Sequence, residues 1–145
     1  MDCTSNGHGV ARSITYAQLA SLDAGAWFGA DFAGARMPTL AQVHERCVSL
    51  GMMANIEIKP CPGRDAETGL LVAREAARLW ADSPIAPLMS SFSFDALQAA
   101  YDTAPNLPYG MLYEKVPGRE GVWRLARAGR DAVVRVAACG SLRAG

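Results

Sequence analysis

The sequence predicts an α/β fold in which parallel strands alternate with helices, and three observations predict it. Segments of strand composition at 53–59, 88–92 and 109–113 are separated by stretches of helical periodicity, roughly the ten- to fifteen-residue spacing of βαβ units. Each strand gathers polar residues near its C-terminal end: Glu57 with Lys59, Ser90 with Ser91, and Glu114 with Lys115. No glycine-rich phosphate loop follows any strand. That combination favours a (β/α)8 barrel, whose catalytic groups come from strand C-terminal ends, over an open doubly wound sheet.

The elements follow in order along the chain. "TYAQLASLDAG" opens with Thr15 and Gln18 in capping-box spacing and is expected to run as a short helix to Gly25. "PTLAQVHERCVSLG" repeats the device with Thr39 and Gln42, aligns Leu40, Val43, Cys47 and Leu50 on one stripe, and stops at Gly51. After "PCPGRD", Asp65 is expected to cap a long helix whose buried face is Leu70, Ala73, Ala77 and Trp80, opposite Arg74, Glu75 and Arg78. "PLMSSF" reads as a strand, "SFDALQAAYDTAP" as a helix capped by Ser93, and "PYGMLYE" as a strand. A weaker helix over "REGVWRLARAGR" and a last strand over "DAVVRVAA" complete the pattern.

The strand "MMANIEIKP" poses the chemical question. Alternation puts Met52, Ala54, Ile56 and Ile58 on one face and Met53, Asn55, Glu57 and Lys59 on the other. An unpaired carboxylate or ammonium in a core costs several kcal/mol, about enough to force neutralisation. Two readings fit the residues: Glu57 pairs with Lys59 or with another strand, or the polar row lines a site. Asn55, Glu57 and Lys59 are expected on the inward side of the sheet, with Ile56 and Ile58 under helices. Strands 53–59, 88–92 and 109–113 are expected adjacent, parallel and in that order.

Composition excludes several classes. The chain has 145 residues, 50% of them hydrophobic, and 14 Lys plus Arg balance 14 Asp plus Glu. No basic block is interleaved with aromatic residues, so no nucleic-acid partner is implied. No apolar run is long enough for a membrane span, and the first residues lack a signal-peptide pattern, which makes a cytoplasmic location the default expectation. Cys3, Cys47, Cys61 and Cys139 are far apart and read as free thiols. His8 in a glycine turn and His44 on a polar helix side read as solvated residues.

"TSNGHG", "LDAGAWFGADFAGARMPTLAQV", "NIEIKPCPG" and "PLMSSFS", in that order, make residues 2–113 resemble the glycerophosphodiester phosphodiesterase family, particularly its cytosolic bacterial branch. The resemblance implies a TIM barrel that hydrolyses small-molecule glycerophosphodiesters to glycerol 3-phosphate and an alcohol with a divalent cation, Mg²⁺ or Ca²⁺. For Glu57 it implies metal ligation, and for Lys59 a catalytic contact with the substrate phosphate. The chemistry of the residues agrees: phosphodiester displacement needs positive charge on the non-bridging oxygens, and hard cations take oxygen ligands.

The resemblance also implies what these residues do not include. The family's paired histidines and its Glu-x-Asp metal ligands belong to strands that would precede "TSNGHG", and Cys3 stands where the family carries arginine. The expected architecture is therefore a partial (β/α)8 barrel lacking its first strands and its last. Within 1–145, residues 3–36 correspond to a family insertion, 37–113 to central βα units, and 114–145 to a divergent C-terminal segment. Two functional expectations follow: an enzyme by family whose chain is inactive alone, or a non-catalytic fragment that associates with a partner. Sheet edges and uncovered apolar faces make self-association an expected property.

Overall fold

The computed structural model describes residues 4–114 and the backbone of residues 137–138. The chain forms two compact units, Met1–Val43 and His44–Gly145. The helix expected over 119–130, most of the strand expected over 131–138, Lys115, Cys3 and Cys139 lie outside the described residues.

In the first unit, α1 spans Tyr16–Ser21, and both bonds of the Thr15–Gln18 capping box form. The helix ends at Leu22, whose backbone turns extended, rather than at Gly25. The cause lies in Asp23, whose carboxylate accepts hydrogen bonds from the backbone N–H groups of Gly25, Ala26 and Gly34 at 2.8, 2.9 and 2.7 Å. These bonds, led by those from Ala26 and Gly25, hold the Asp23 carboxyl below its ordinary range. Gly25 has a different task from stopping a helix. A Cβ there would lie 2.0 Å from the Phe32 carbonyl oxygen, so only glycine permits the loop to close. Trp27, Phe28 and Phe32 then meet edge to face, with ring centroids 5.6 and 5.0 Å apart.

Helix α2, Leu40–Ser49, crosses the division between the units. Thr39 and Gln42 form the second capping box, at 2.9 and 3.2 Å. Gly51, at φ 63°, provides the left-handed turn that stops the helix, as expected. Leu50 of the proposed apolar stripe is exposed, whereas Leu40, Val43 and Cys47 are half-buried.

The second unit carries a sheet of order β1-β2-β3-β4, all parallel: Asn55–Glu57, Leu88–Ser91, Tyr109–Tyr113 and Ala137–Ala138. The first three are adjacent, parallel and in chain order, as the pattern required. Helices α3, Asp65–Leu79, and α4, Phe94–Thr103, are the two crossovers. They pack against each other, so both lie on one face of the sheet. Parallel strands in chain order with their crossover helices on one face are the repeating unit of a (β/α)8 barrel.

Small residues set the α3–α4 contact. Gly69, Ala73 and Ala76 are buried from α3, and Ala96, Leu97 and Ala100 from α4. A Cβ on Gly69 would lie 2.0 Å from the Ala96 carbonyl oxygen, which fixes how closely the helices approach. This corrects the expected face of α3: Leu70 is 43% exposed, and Gly69 and Ala76 take the buried stripe with Ala73 and Trp80. Periodicity identified the helix but not its most intimate side, because the helices meet through their smallest residues.

Candidate active site

Alternation along β1 is realised at its centre and C-terminal end. Ile58 is 2% exposed beneath the helical layer and Ile56 is half-buried, while Asn55, Glu57 and Lys59 are exposed on the helix-free face. Met52 and Met53 precede the paired strand and are both exposed. In register, Asn55 lies beside Leu88 and Glu57 beside Ser90, which lies beside Gly110. Neighbours in a parallel pair project to the same side, so Glu57, Ser90 and Gly110 form one row across that face.

The serines expected as part of a polar strand end are structural on both faces. Ser90 is buried and its hydroxyl donates to Asn55 Oδ1 at 2.8 Å. Ser91, on the helical side, donates to the Ile58 carbonyl at 2.7 Å and accepts from the Ser93 N–H at 3.0 Å. Ser93 caps α4 by accepting from the Ala96 N–H at 3.2 Å, and its hydroxyl donates to Asp65 Oδ1 at 2.6 Å. The expected helix cap Asp65 is thus the first residue of α3, with its carboxylate committed to Ser93; the residue at the cap position is Arg64. Together with the bond from Ile58 N–H to the Ser90 carbonyl at 2.6 Å, these contacts fix the backbone just before Lys59.

Beyond the strand ends lies a hollow of about 430 Å³, lined by Glu57, Lys59, Phe92, Ser93 and Glu114 among others. No Glu57–Lys59 ion pair forms among the described residues; the pairs present are Arg64–Glu67 and Arg78–Glu75, both on α3 or at its start. Among the described residues, Glu57 and Lys59 are therefore not paired with each other. Both side chains are exposed at the C-terminal end of β1, beside the hollow.

Among the described residues, no three His, Cys, Asp or Glu side chains gather closely enough to hold a metal ion. Glu57 offers oxygen ligands of the kind Mg²⁺ and Ca²⁺ take, but alone it is an incomplete set, and the described residues do not fit such an ion. Cys47 and Cys61 are free thiols. His44 corrects the solvated reading: it is half-buried, meets Trp80 edge to face at 4.6 Å, and its Nε2 lies 3.0 Å from Ser83 Oγ. Its position on α2 gave no sign of the Trp80 ring, thirty-six residues away in sequence. Sequence reasoning also passed over Phe92 as a lining residue, although its place two residues after Ser90 marks the same face.

Parallel strands with helices on one face define a segment of a (β/α)8 barrel, and a carboxylate and a lysine stand together at the C-terminal end of its first described strand. The chain belongs to the glycerophosphoryl diester phosphodiesterase family, which it matches over residues 1–140. It is 35% identical over 118 residues to a glycerophosphodiester phosphodiesterase of Caldanaerobacter subterraneus, covering 79% of this chain and 46% of that protein. It is 32% identical over 127 residues to a Bacillus subtilis glycerophosphodiester phosphodiesterase, covering 79% of this chain and 42% of that one. The chain thus spans less than half the length of these curated relatives.

Solved structures show the same fold. An Oleispira antarctica phosphodiesterase, in complex with the product sn-glycerol-3-phosphate, superposes with a TM-score of 0.75 at 24% identity, covering 97% of this chain and 64% of that one. A glycerophosphodiester phosphodiesterase from Agrobacterium tumefaciens gives a TM-score of 0.62 at 27% identity, covering 77% and 45%.

Proposed function

We propose that this chain supplies the Glu57–Lys59 portion of an active site that hydrolyses glycerophosphodiesters to glycerol 3-phosphate and an alcohol. One observation carries the reading: in a member of this family, Glu57 and Lys59 stand free of each other at the C-terminal end of β1, on the helix-free face beside the hollow. The bonds to the Ile58 backbone fix the chain just before Lys59, whose ammonium would pair with the non-bridging phosphate oxygens, where charge builds during displacement. Glu57 is proposed as one oxygen ligand to Mg²⁺ or Ca²⁺; such an ion also needs ligands other than the described residues. Residues 3–36 are proposed as the family insertion and 37–113 as central βα units, in a cytoplasmic protein.

The hydrolysis is proposed for a barrel that contains this segment; the 145 residues by themselves are expected to show no turnover. General acid–base groups each contribute about 10²- to 10⁴-fold, and a lone carboxylate does not displace the hydration shell of a hard ion. The second reading, a non-catalytic segment that associates with a partner, is favoured by β1 standing at the edge of the described sheet. The test is to purify the chain, add Mg²⁺ or Ca²⁺ with glycerophosphocholine, and follow glycerol 3-phosphate release. No release is expected. Metal-dependent release that disappears in Glu57→Ala would contradict the inactivity of the isolated chain.

A further inference from the structure

We infer that two copies of this chain close into one barrel, with β1 of each copy paired to β4 of the other. The inference rests on the second reading above, association with a partner, and goes beyond it by naming that partner as the chain itself. The described sheet holds four strands, all parallel, with β1 at one edge and β4 at the other. A closed barrel of this kind has eight parallel strands. Two such sheets supply that number with no strand reversed. A twofold axis along the barrel keeps every strand direction, sets β1 against β4 of the second copy, and sets β4 against its β1.

Two surfaces of the sheet call for a cover. All-parallel sheets occur almost only with both faces covered, and α3 and α4 lie together on one face. On the other face Leu88 and Leu112 are half-buried and Phe92 is 48% exposed. Closure turns that face into a barrel interior filled from both copies. The second surface is the edge of β1. The Ala54 carbonyl accepts from the Leu88 N–H at 2.9 Å and the Ile58 N–H donates to the Ser90 carbonyl at 2.6 Å, so these residues turn their backbone groups to β2. Backbone direction alternates along a strand, which points the N–H and carbonyl groups of Asn55 and Glu57 to the open edge. The chain leading into that edge is apolar and uncovered: Val48, Leu50, Met52 and Met53 are 44%, 52%, 56% and 58% exposed. Antiparallel pairing of β1 with β1 of a second copy would leave β4 open and the helix-free face uncovered. Pairing β1 with β4 leaves neither, and brings both Glu57–Lys59 pairs to the same end of the barrel, so that each copy contributes charge to one shared mouth.

The test measures the mass of the full 145-residue chain by analytical ultracentrifugation over a concentration series, beside Glu57→Pro. That substitution removes one N–H from the open edge and leaves the β1–β2 bonds in place. Twice the chain mass is expected, with the dissociation constant raised at least about tenfold in a variant that circular dichroism shows to be folded, the loss of one ladder bond at each contact. Strand order across the contact is read by cross-linking. Asn55→Cys and Ala137→Cys are placed in separate chains whose four native cysteines are replaced by serine, then mixed and treated with a short bismaleimide. Cross-links between the two variants, and none within either alone, are expected. Cross-linking of Asn55→Cys to itself, a mass beyond two chains, or an undiminished dimer in folded Glu57→Pro overturns the closure while the association reading stands. The mass of one chain at every concentration overturns the closure and, with it, this chain as the partner in that reading.

Discussion

The buried hydroxyl of Ser91 donates to the Ile58 carbonyl at 2.7 Å, tying the end of β1 to β2 one residue before Lys59. Ser91→Ala leaves that carbonyl without its side-chain partner and removes the acceptor for the Ser93 N–H. A lost buried bond of this kind costs about 1–3 kcal/mol. Urea unfolding of the variant should show a lower midpoint with an unchanged slope, and an unaltered midpoint would show that the bond does not hold the strand end.

Gly69 faces the Ala96 carbonyl so closely that a Cβ would stand 2.0 Å from its oxygen. Gly69→Ala should therefore destabilise the unit, although alanine gains about 1 kcal/mol of helix propensity over glycine. Forcing the helices apart costs about 1–3 kcal/mol, so the expected net change is a modest loss in thermal midpoint. A stabilised variant would mean that α3 and α4 pack less tightly than described.

Much of this arrangement was legible in the sequence, and the misses share a cause. Both threonine–glutamine capping boxes formed because a cap is satisfied within one turn of chain. The Glu57 and Lys59 face was legible because strand alternation is local and both side chains are charged. The buried face of α3, Asp65 and His44 were misread because each is defined by a partner distant in sequence: the Ala96 carbonyl against Gly69, the Ser93 hydroxyl, and the Trp80 ring with Ser83. The hollow needed three strand ends in register before Phe92 and Glu114 could be seen to share it.

Tyr109 begins β3 with its ring buried against Tyr101 at 5.6 Å and its hydroxyl 2.8 and 2.9 Å from the carbonyls of Ala100 in α4 and of Ala104 just after it. Burial, and secondarily the neighbouring Tyr101, push its phenol up to about 12. The unfolded phenol titrates near pH 10, about its reference value, so the folded state favours the neutral form. Its contribution to stability is complete below that pH and is lost as pH rises from there through the folded value. Burial also raises the Tyr113 phenol, so phenolate absorbance should show both tyrosines titrating late, with the late amplitude reduced in Tyr109→Phe; an unreduced amplitude in that variant would assign the shifted phenols elsewhere.

The most direct measurement of the central claim is glycerol 3-phosphate release by a complete barrel that carries these residues. Replacing the aligned segment of the Caldanaerobacter enzyme with residues from this chain, and verifying the fold by circular dichroism, gives that barrel. With Mg²⁺ or Ca²⁺ and glycerophosphocholine, the chimera should turn over. Glu57→Gln and Lys59→Met should each lower kcat/KM by about 10²- to 10³-fold, the loss expected when one preorganised electrostatic group is removed from the transition state. A folded, active chimera whose rate is unchanged by both substitutions would contradict the assignment of Glu57 and Lys59 to the phosphodiester site.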